Sequence, residues 1–194
     1  MSSRDKILQA VKNNQPAFRS LPELPKPGLP AFNGVSDFTT ILEAIGGKVF
    51  RVTSYREIEE HIRNVFPKAK RIISTSAELS FATDKIRPAA PHDFYDVDLA
   101  VISSGLGVAE NGSIWITEDQ LPERVLPFIC EHLAVVLEAS AIVPTMHHAY
   151  EQIADKKYGF GVFIAGPSKT ADIEQSLVLG AHGPKSMTVF LLSV

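Results

Sequence analysis

The stretch SSGLGVAENGSIWITE, residues 103–118, sets a glycine-rich acidic turn between two apolar runs, and its reading decides the architecture. Upstream, residues 97–103 are apolar at nearly every position, the pattern of a strand covered on both faces as in a parallel sheet. Downstream, residues 113–117 form a second strand that carries Trp115 at hairpin alternation, where an indole serves packing. Asn111-Gly112 is a favoured pair for a tight hairpin, because both central residues of such a turn need positive φ. Glu110 then has two readings: it flanks the bend, or it faces a site at the carboxyl end of a buried strand.

Outward from this stretch, short apolar runs alternate with amphipathic ones. Helices are expected over residues 36–45, stopped by Gly46-Gly47, over 55–66, stopped by Pro67, over 145–155 and over 170–177. Strands are expected over 48–52, 71–74, 97–103, 113–117, 133–137, 161–165 and 187–192. The alternation predicts an α/β domain with a mostly parallel sheet covered on both faces, the 104–118 hairpin being an antiparallel excursion. Before it, residues 3–13 carry Ile7, Leu8 and Val11 at helical spacing, with Ser2 or Ser3 as a cap. Residues 16–30 then hold five of the thirteen prolines, which forbid regular helix. The expected division is residues 1–33 as N-terminal helix and proline-rich arm, and 34–194 as the compact domain.

The chain has 194 residues and a net charge of −3, enough to bury a sizeable core and without a general basic field for nucleic acid. Its one cysteine, Cys130, lies in an apolar run, where an inert buried thiol is expected; alone it can hold neither an iron–sulfur cluster nor a structural zinc. The amino terminus lacks a signal-peptide pattern and no apolar run is long enough to span a bilayer. A soluble cytoplasmic protein is expected.

Ligands of open α/β sheets gather at the carboxyl ends of strands, where loops meet helix starts. Two segments meet that criterion. In the first, Gly105, Gly107 and Gly112 permit close backbone approach to a ligand, although the spacing is neither a dinucleotide fingerprint nor a Walker loop. The second is AGPSKTADIEQSLVLGAHGP, residues 165–184. There Ser168 or Thr170 would cap a helix whose first turn holds Asp172 and Glu174. Free N–H groups at that start, with Lys169 beside them, would equally seat an anion. The loop of residues 180–184 brings the imidazole of His182. His147 and His148, adjacent on a helix, point about 100° apart and make no i, i+4 metal pair; no metal site is expected.

Together, GVAENGSIWIT and GPSKTADIEQSLVLGAHGP resemble the lactate-utilisation protein C family of LUD-domain proteins, over residues 35–194. The resemblance implies a Rossmann-like three-layer domain of the NagB/RpiA/CoA-transferase-like type. It also implies a part in the oxidation of L-lactate to pyruvate beside iron–sulfur partner proteins, this chain being the clusterless member, with no cofactor of its own. A small anionic metabolite would lie between the two segments, touched by Gly105, Gly107, Asn111, Gly112, Gly166, Ser168, Lys169, Thr170, Asp172 and Gly183, with Glu110 and His182 as catalytic candidates. Ala109-Glu110-Asn111-Gly112 further resembles the Ser-Glu-Asn-Gly turn of class I CoA-transferases, whose glutamate is the nucleophile. The alternative is therefore a stand-alone CoA-transferase-like or sugar-phosphate isomerase-like enzyme using Glu110. Whether the chain is itself catalytic, and whether it forms a homo-oligomer, stay open at this point.

Overall fold

In the computed structural model the described residues are 2–20, 22, 32–80, 82, 90–154, 156–173 and 176–193, without the side chains of 171–173 and 176–177. The chain divides into two units, Met1–Pro30 and Ala31–Val194. In the first, helix α1 (Ser3–Asn13) starts with a reciprocal capping box. The Ser2 hydroxyl accepts the Asp5 N–H and the Asp5 carboxylate accepts the Ser2 N–H. None of its residues is buried, and Ile7, Leu8 and Val11 are exposed.

The second unit opens with α2 (Gly34–Ala44), β1 (Lys48–Val52), α3 (Tyr55–Val65), β2 (Ile72–Ser74) and β3 (Leu99–Ser104). There follow β4 (Gly107–Val108), β5 (Ser113–Thr117), the short α4 (Leu126–Ile129), β6 (His132–Glu138), β7 (Ile142–Val143) and α5 (Met146–Ile153). The last elements are β8 (Gly161–Ile164), β9 (Lys169–Ile173), β10 (Ser176–Leu179) and β11 (Ser186–Leu192). Helix α2 ends where Gly46-Gly47 predicts. Gly46 adopts φ +93°, its N–H bonds to the Glu43 carbonyl and the Gly47 N–H to the Leu42 carbonyl, a Schellman stop.

Five strands form one parallel sheet in the order β1-β11-β6-β3-β2. Helices α2 and α3 cover opposite faces of this sheet, so β2, β3, β6 and β11 are largely buried, while β1 at the edge leaves Lys48 and Arg51 exposed. On one face α3 places Ile58 and Ile62, spaced i, i+4, against Val52, Leu99, Val101 and Phe190. On the other, Phe38 and Leu42 of α2 pack with Ile102, Val135, Leu137 and Val189. Fully burying each such side chain contributes roughly 1.5–3 kcal/mol.

The second face also departs from the expectation. The hairpin of β4 and β5 is no excursion of the parallel sheet. With β7 and β8 it forms a separate mixed sheet, β7-β4-β5-β8, so residues 161–164 also leave the main sheet. Alternation along β5 explains the placement: Ile114 and Ile116 face the main core, while Trp115 faces the opposite way, into a third cluster with Leu106, Val143, Ala149 and Ile153. That outer face is covered by α5. The layers are thus α3, the parallel sheet, α2 with the mixed sheet, and α5, where three layers are expected.

Two further expectations are corrected. Residues 170–177 are not a helix: β9 and β10 pair antiparallel, Thr170 opposite Val178 and Lys169 opposite Leu179, with an irregularity in register near Ser176. The helix reading rests on a Ser/Thr cap followed by acids, a pattern that extended chain also tolerates. Branched Thr170, Ile173 and Val178 favour the ribbon. And the turn between β4 and β5 is not the two-residue Asn-Gly type, since Val108 pairs with Ser113 and leaves a four-residue loop. Gly112 does take positive φ, +66°, and the Asn111 side-chain oxygen accepts the Ser113 N–H at 3.0 Å.

Candidate functional site

The register of the parallel sheet defines its two edges. Leu99, His132 and Ser186 lie level at the amino edge of the parallel sheet; Ser104, Leu137 and Leu191 lie level at the carboxyl edge. The six residues of β3, at about 3.3 Å each, set the two edges on the order of 17 Å apart.

Much of the predicted site gathers at the C-terminal turn of α2, as a packing junction. A Cβ on Gly112 would lie 3.0 Å from Leu42 Cα, and one on Gly166, which has φ +72°, 3.0 Å from the Ile45 carbonyl oxygen. The Lys169 ammonium donates to that same Ile45 carbonyl. It thereby complements the negative end of the α2 dipole. Ser168 closes the base of the β9–β10 ribbon, its N–H donating to Pro184 at 2.9 Å and its carbonyl accepting from Gly180 at 3.0 Å. Gly183 packs on the Ser168 side chain. Thr170 lies within the ribbon opposite Val178, and the Asp172 side chain lies outside the described residues. With no helix starting at Ser168 or Thr170, the row of free N–H groups expected there is missing. Gly107 sits inside β4, where a Cβ would meet Leu137 Cδ2 at 2.6 Å; close sheet packing requires it.

Glu110 turns elsewhere. Its N–H donates to the Pro144 carbonyl, and its carboxylate accepts the Met146 N–H at 2.8 Å, at the start of α5. The Thr145 side chain makes no cap bond there, so Glu110 supplies the acceptor and a charge complementary to the helix start. In the mixed sheet α5 adjoins the β7 edge, whereas Gly166–Lys169 follow β8 at the other edge. The Glu110 carboxylate thus serves the start of α5, while Lys169 serves the end of α2.

His182 is exposed in the loop leading into β11. It lines a cavity of about 530 Å³ at the amino edge, with Asp96, Asp98, Glu131 and Lys185. Carboxylates outnumber cations there, and Lys185 is paired to Glu131 at 2.7 Å. The backbone N–H groups of Arg71 and Lys70 hold the Asp98 carboxyl below its usual range. Nearby, burial lowers the pKa of His132, whose Nδ1 shares a hydrogen bond with the Ser186 hydroxyl at 2.7 Å. Such a lining suits a cation better than an anion. Among the described residues, no group of three His, Cys, Asp or Glu is placed to hold a metal.

The carboxyl edge offers a different crevice, of about 230 Å³, at the end of β3. Gly105, Leu106, Trp115, Thr117, Asp119 and Gln120 line it. Lys156, Lys157 and Tyr158, between α5 and β8, complete the lining. A Cβ on Gly105 would meet nothing within 4 Å. Trp115 is only 8% exposed. It lies flat over Gly161, where a Cβ would come within 2.2 Å of the indole, and its ring meets Tyr158 edge-on with centroids 5.3 Å apart. Polar bonds fix the frame: Ser104 donates its hydroxyl to the Trp115 carbonyl at 2.7 Å, and Gln120 Nε2 donates to Ser103 at 3.0 Å. Glu118 pairs with Arg124 and accepts the Gly159 N–H, which together hold its carboxyl below the usual range. Of the expected site residues only Gly105 lies here. Sequence reading misses Trp115, taken for packing alone, and the Lys156-Lys157 pair, whose one visible signal is two adjacent cations before a strand.

Comparison with known proteins places the chain. A protein-family model described as the LUD domain matches residues 74–192. Lactate utilization protein C of Bacillus pumilus is 34% identical over 99 residues, covering 48% of this chain and 41% of the relative. Lactate utilization protein C 1 of Bacillus mycoides is 34% identical over 93 residues, covering 45% and 40%. The matched stretch thus spans about two fifths of the length of these curated relatives. A crystal structure of a DUF162 family protein from Deinococcus radiodurans superposes with TM-score 0.60 at 17% identity, over 81% of this chain and 95% of that one, a likeness of fold. With the family model matched from the last residue of β2 through β11, and so over β3, β6 and β11 of the parallel sheet, this chain belongs to the LUD-domain family.

Proposed function

We propose that this chain is a lactate-utilisation-C-like component of L-lactate oxidation to pyruvate, working in the cytoplasm beside iron–sulfur partner proteins and binding a small organic anion. The observation that carries the reading is the LUD match over residues 74–192, joined to relatives that bear the lactate-utilisation name. A single cysteine supports the clusterless role. Cys130 is buried and desolvation pushes its thiol up to about 12, so it is a poor metal ligand, and electrons would pass through partners. Kinship with the NagB/RpiA/CoA-transferase-like group fits a parallel sheet whose carboxyl edge holds a crevice. The bond from Met146 to the Glu110 carboxylate gives that side chain a structural task and adds no support to a covalent carboxylate mechanism. The test is reconstitution. The purified chain, added to the cysteine-rich products of neighbouring genes, is expected to associate with them and raise lactate-dependent reduction of an artificial electron acceptor. Neither association nor any effect on that reduction would overturn the reading.

A further inference from the structure

We propose that the crevice at the carboxyl end of β3 is the site of a small monocarboxylate, of the size of a 2-hydroxy or 2-oxo acid, held by Lys156 and Lys157 against the Trp115–Tyr158 wall. This deepens the functional reading above and rests on it for the class of anion.

Four observations converge. First, the crevice lies at the carboxyl edge of the parallel sheet, directly after its central run of strands, where α/β sheets expose backbone rather than side chains. Second, the charge of its described lining favours an anion: among the described residues Lys156 and Lys157 stand with one carboxylate, Asp119, and the neighbouring Glu118 is already paired with Arg124. Third, the Trp115 Nε1–H is fully enclosed and has no hydrogen-bond partner among the described residues, so a small shift of the indole is what would bring it to an acceptor in the crevice. An unpaired buried donor has lost its water without compensation, so an acceptor oxygen brought beside it gains a bond at no further desolvation cost to the indole. Fourth, about 230 Å³ is below the roughly 300–1,000 Å³ of sites for drug-sized ligands. It suits a compact acid. The aromatic wall would meet the apolar end of such an acid, the two ammonium groups its carboxylate.

Trp115 is the sole tryptophan, so intrinsic fluorescence and the single indole N–H resonance both report on this crevice. The full chain is titrated with L-lactate, with pyruvate, with uncharged lactamide and with sulfate. A saturable fluorescence change and a moving indole N–H resonance are expected with L-lactate or pyruvate, and neither with lactamide nor sulfate. Replacing both lysines by alanine is expected to weaken binding about tenfold or more, the scale of a lost charge-assisted contact, with the thermal midpoint unchanged. Lys169→Ala is expected to leave the titration intact. A silent indole with both acids, an equal response to lactamide or sulfate, or weakening by Lys169→Ala and not by the double variant would overturn the site. Lactate-dependent electron transfer, measured in parallel, separates the two readings. A silent titration beside preserved stimulation removes the crevice alone, and a saturable titration without stimulation removes the functional assignment alone.

Discussion

At Glu110 the side chain completes a helix that Thr145 leaves uncapped. Glu110→Ala is expected to lower stability by about 0.5–1 kcal/mol, the scale of a lost cap and its dipole complement, read as a fall in the thermal midpoint. Glu110→Gln, which keeps an acceptor oxygen, is expected to lose less; equal losses would mean that charge rather than the hydrogen bond matters. Gly112 two residues on is a different case. Its φ of +66° and the 3.0 Å from a built Cβ to Leu42 Cα leave no room on either count. Gly112→Ala is expected to destabilise by about 1–3 kcal/mol, and wild-type stability in urea would contradict this. Both effects concern folding, and neither variant should alter the carboxyl-edge crevice.

Among the elements, the segment after β8 separates two physical accounts most clearly. A helix over residues 170–177 would expose N–H groups for an anion; the β9–β10 ribbon ties them into cross-strand pairs. Backbone proton contacts between Thr170 and Val178 are expected in a nuclear Overhauser spectrum, together with slow amide exchange at Ser168 and Gly180. Sequential helical contacts across 170–177 would refute the ribbon. Lys169 belongs to the same element yet acts on α2, through the Ile45 carbonyl. Chain-distant elements meet there, and no local pattern announces such a partner.

Across the whole molecule, stability against pH follows from what the core excludes. Burial moves the Cys130 thiol from an ordinary 9.0 to about 12. The unfolded chain therefore loses this proton earlier, and stability is expected to fall as pH rises from about 9 towards 12. Native Cys130 should resist alkylation at pH 8 and react after denaturation; rapid native labelling would place the thiol at the surface. On the acid side burial lowers the pKa of His132 below its ordinary 6.5. The unfolded chain then holds more protons just below that value, and stability is expected to drop as pH falls through it. Local pattern sufficed for much of this architecture. The Gly46-Gly47 stop, the Ser2 cap and the strands at 48–52 and 113–117 are determined by short-range sterics and hydrogen bonding that act the same way wherever the segment lies. Apolar runs at 97–103 and 187–192 announced buried parallel strands for a similar reason. Only the tertiary structure decided that β5 faces two cores at once, that residues 170–177 pair with their own neighbours, and that Glu110 and Lys169 serve the ends of distant helices. It also decided that Lys156, Lys157 and Trp115 share a crevice. Those outcomes turn on which surfaces meet across the fold, and a one-dimensional pattern records what a residue can do without recording what will stand beside it.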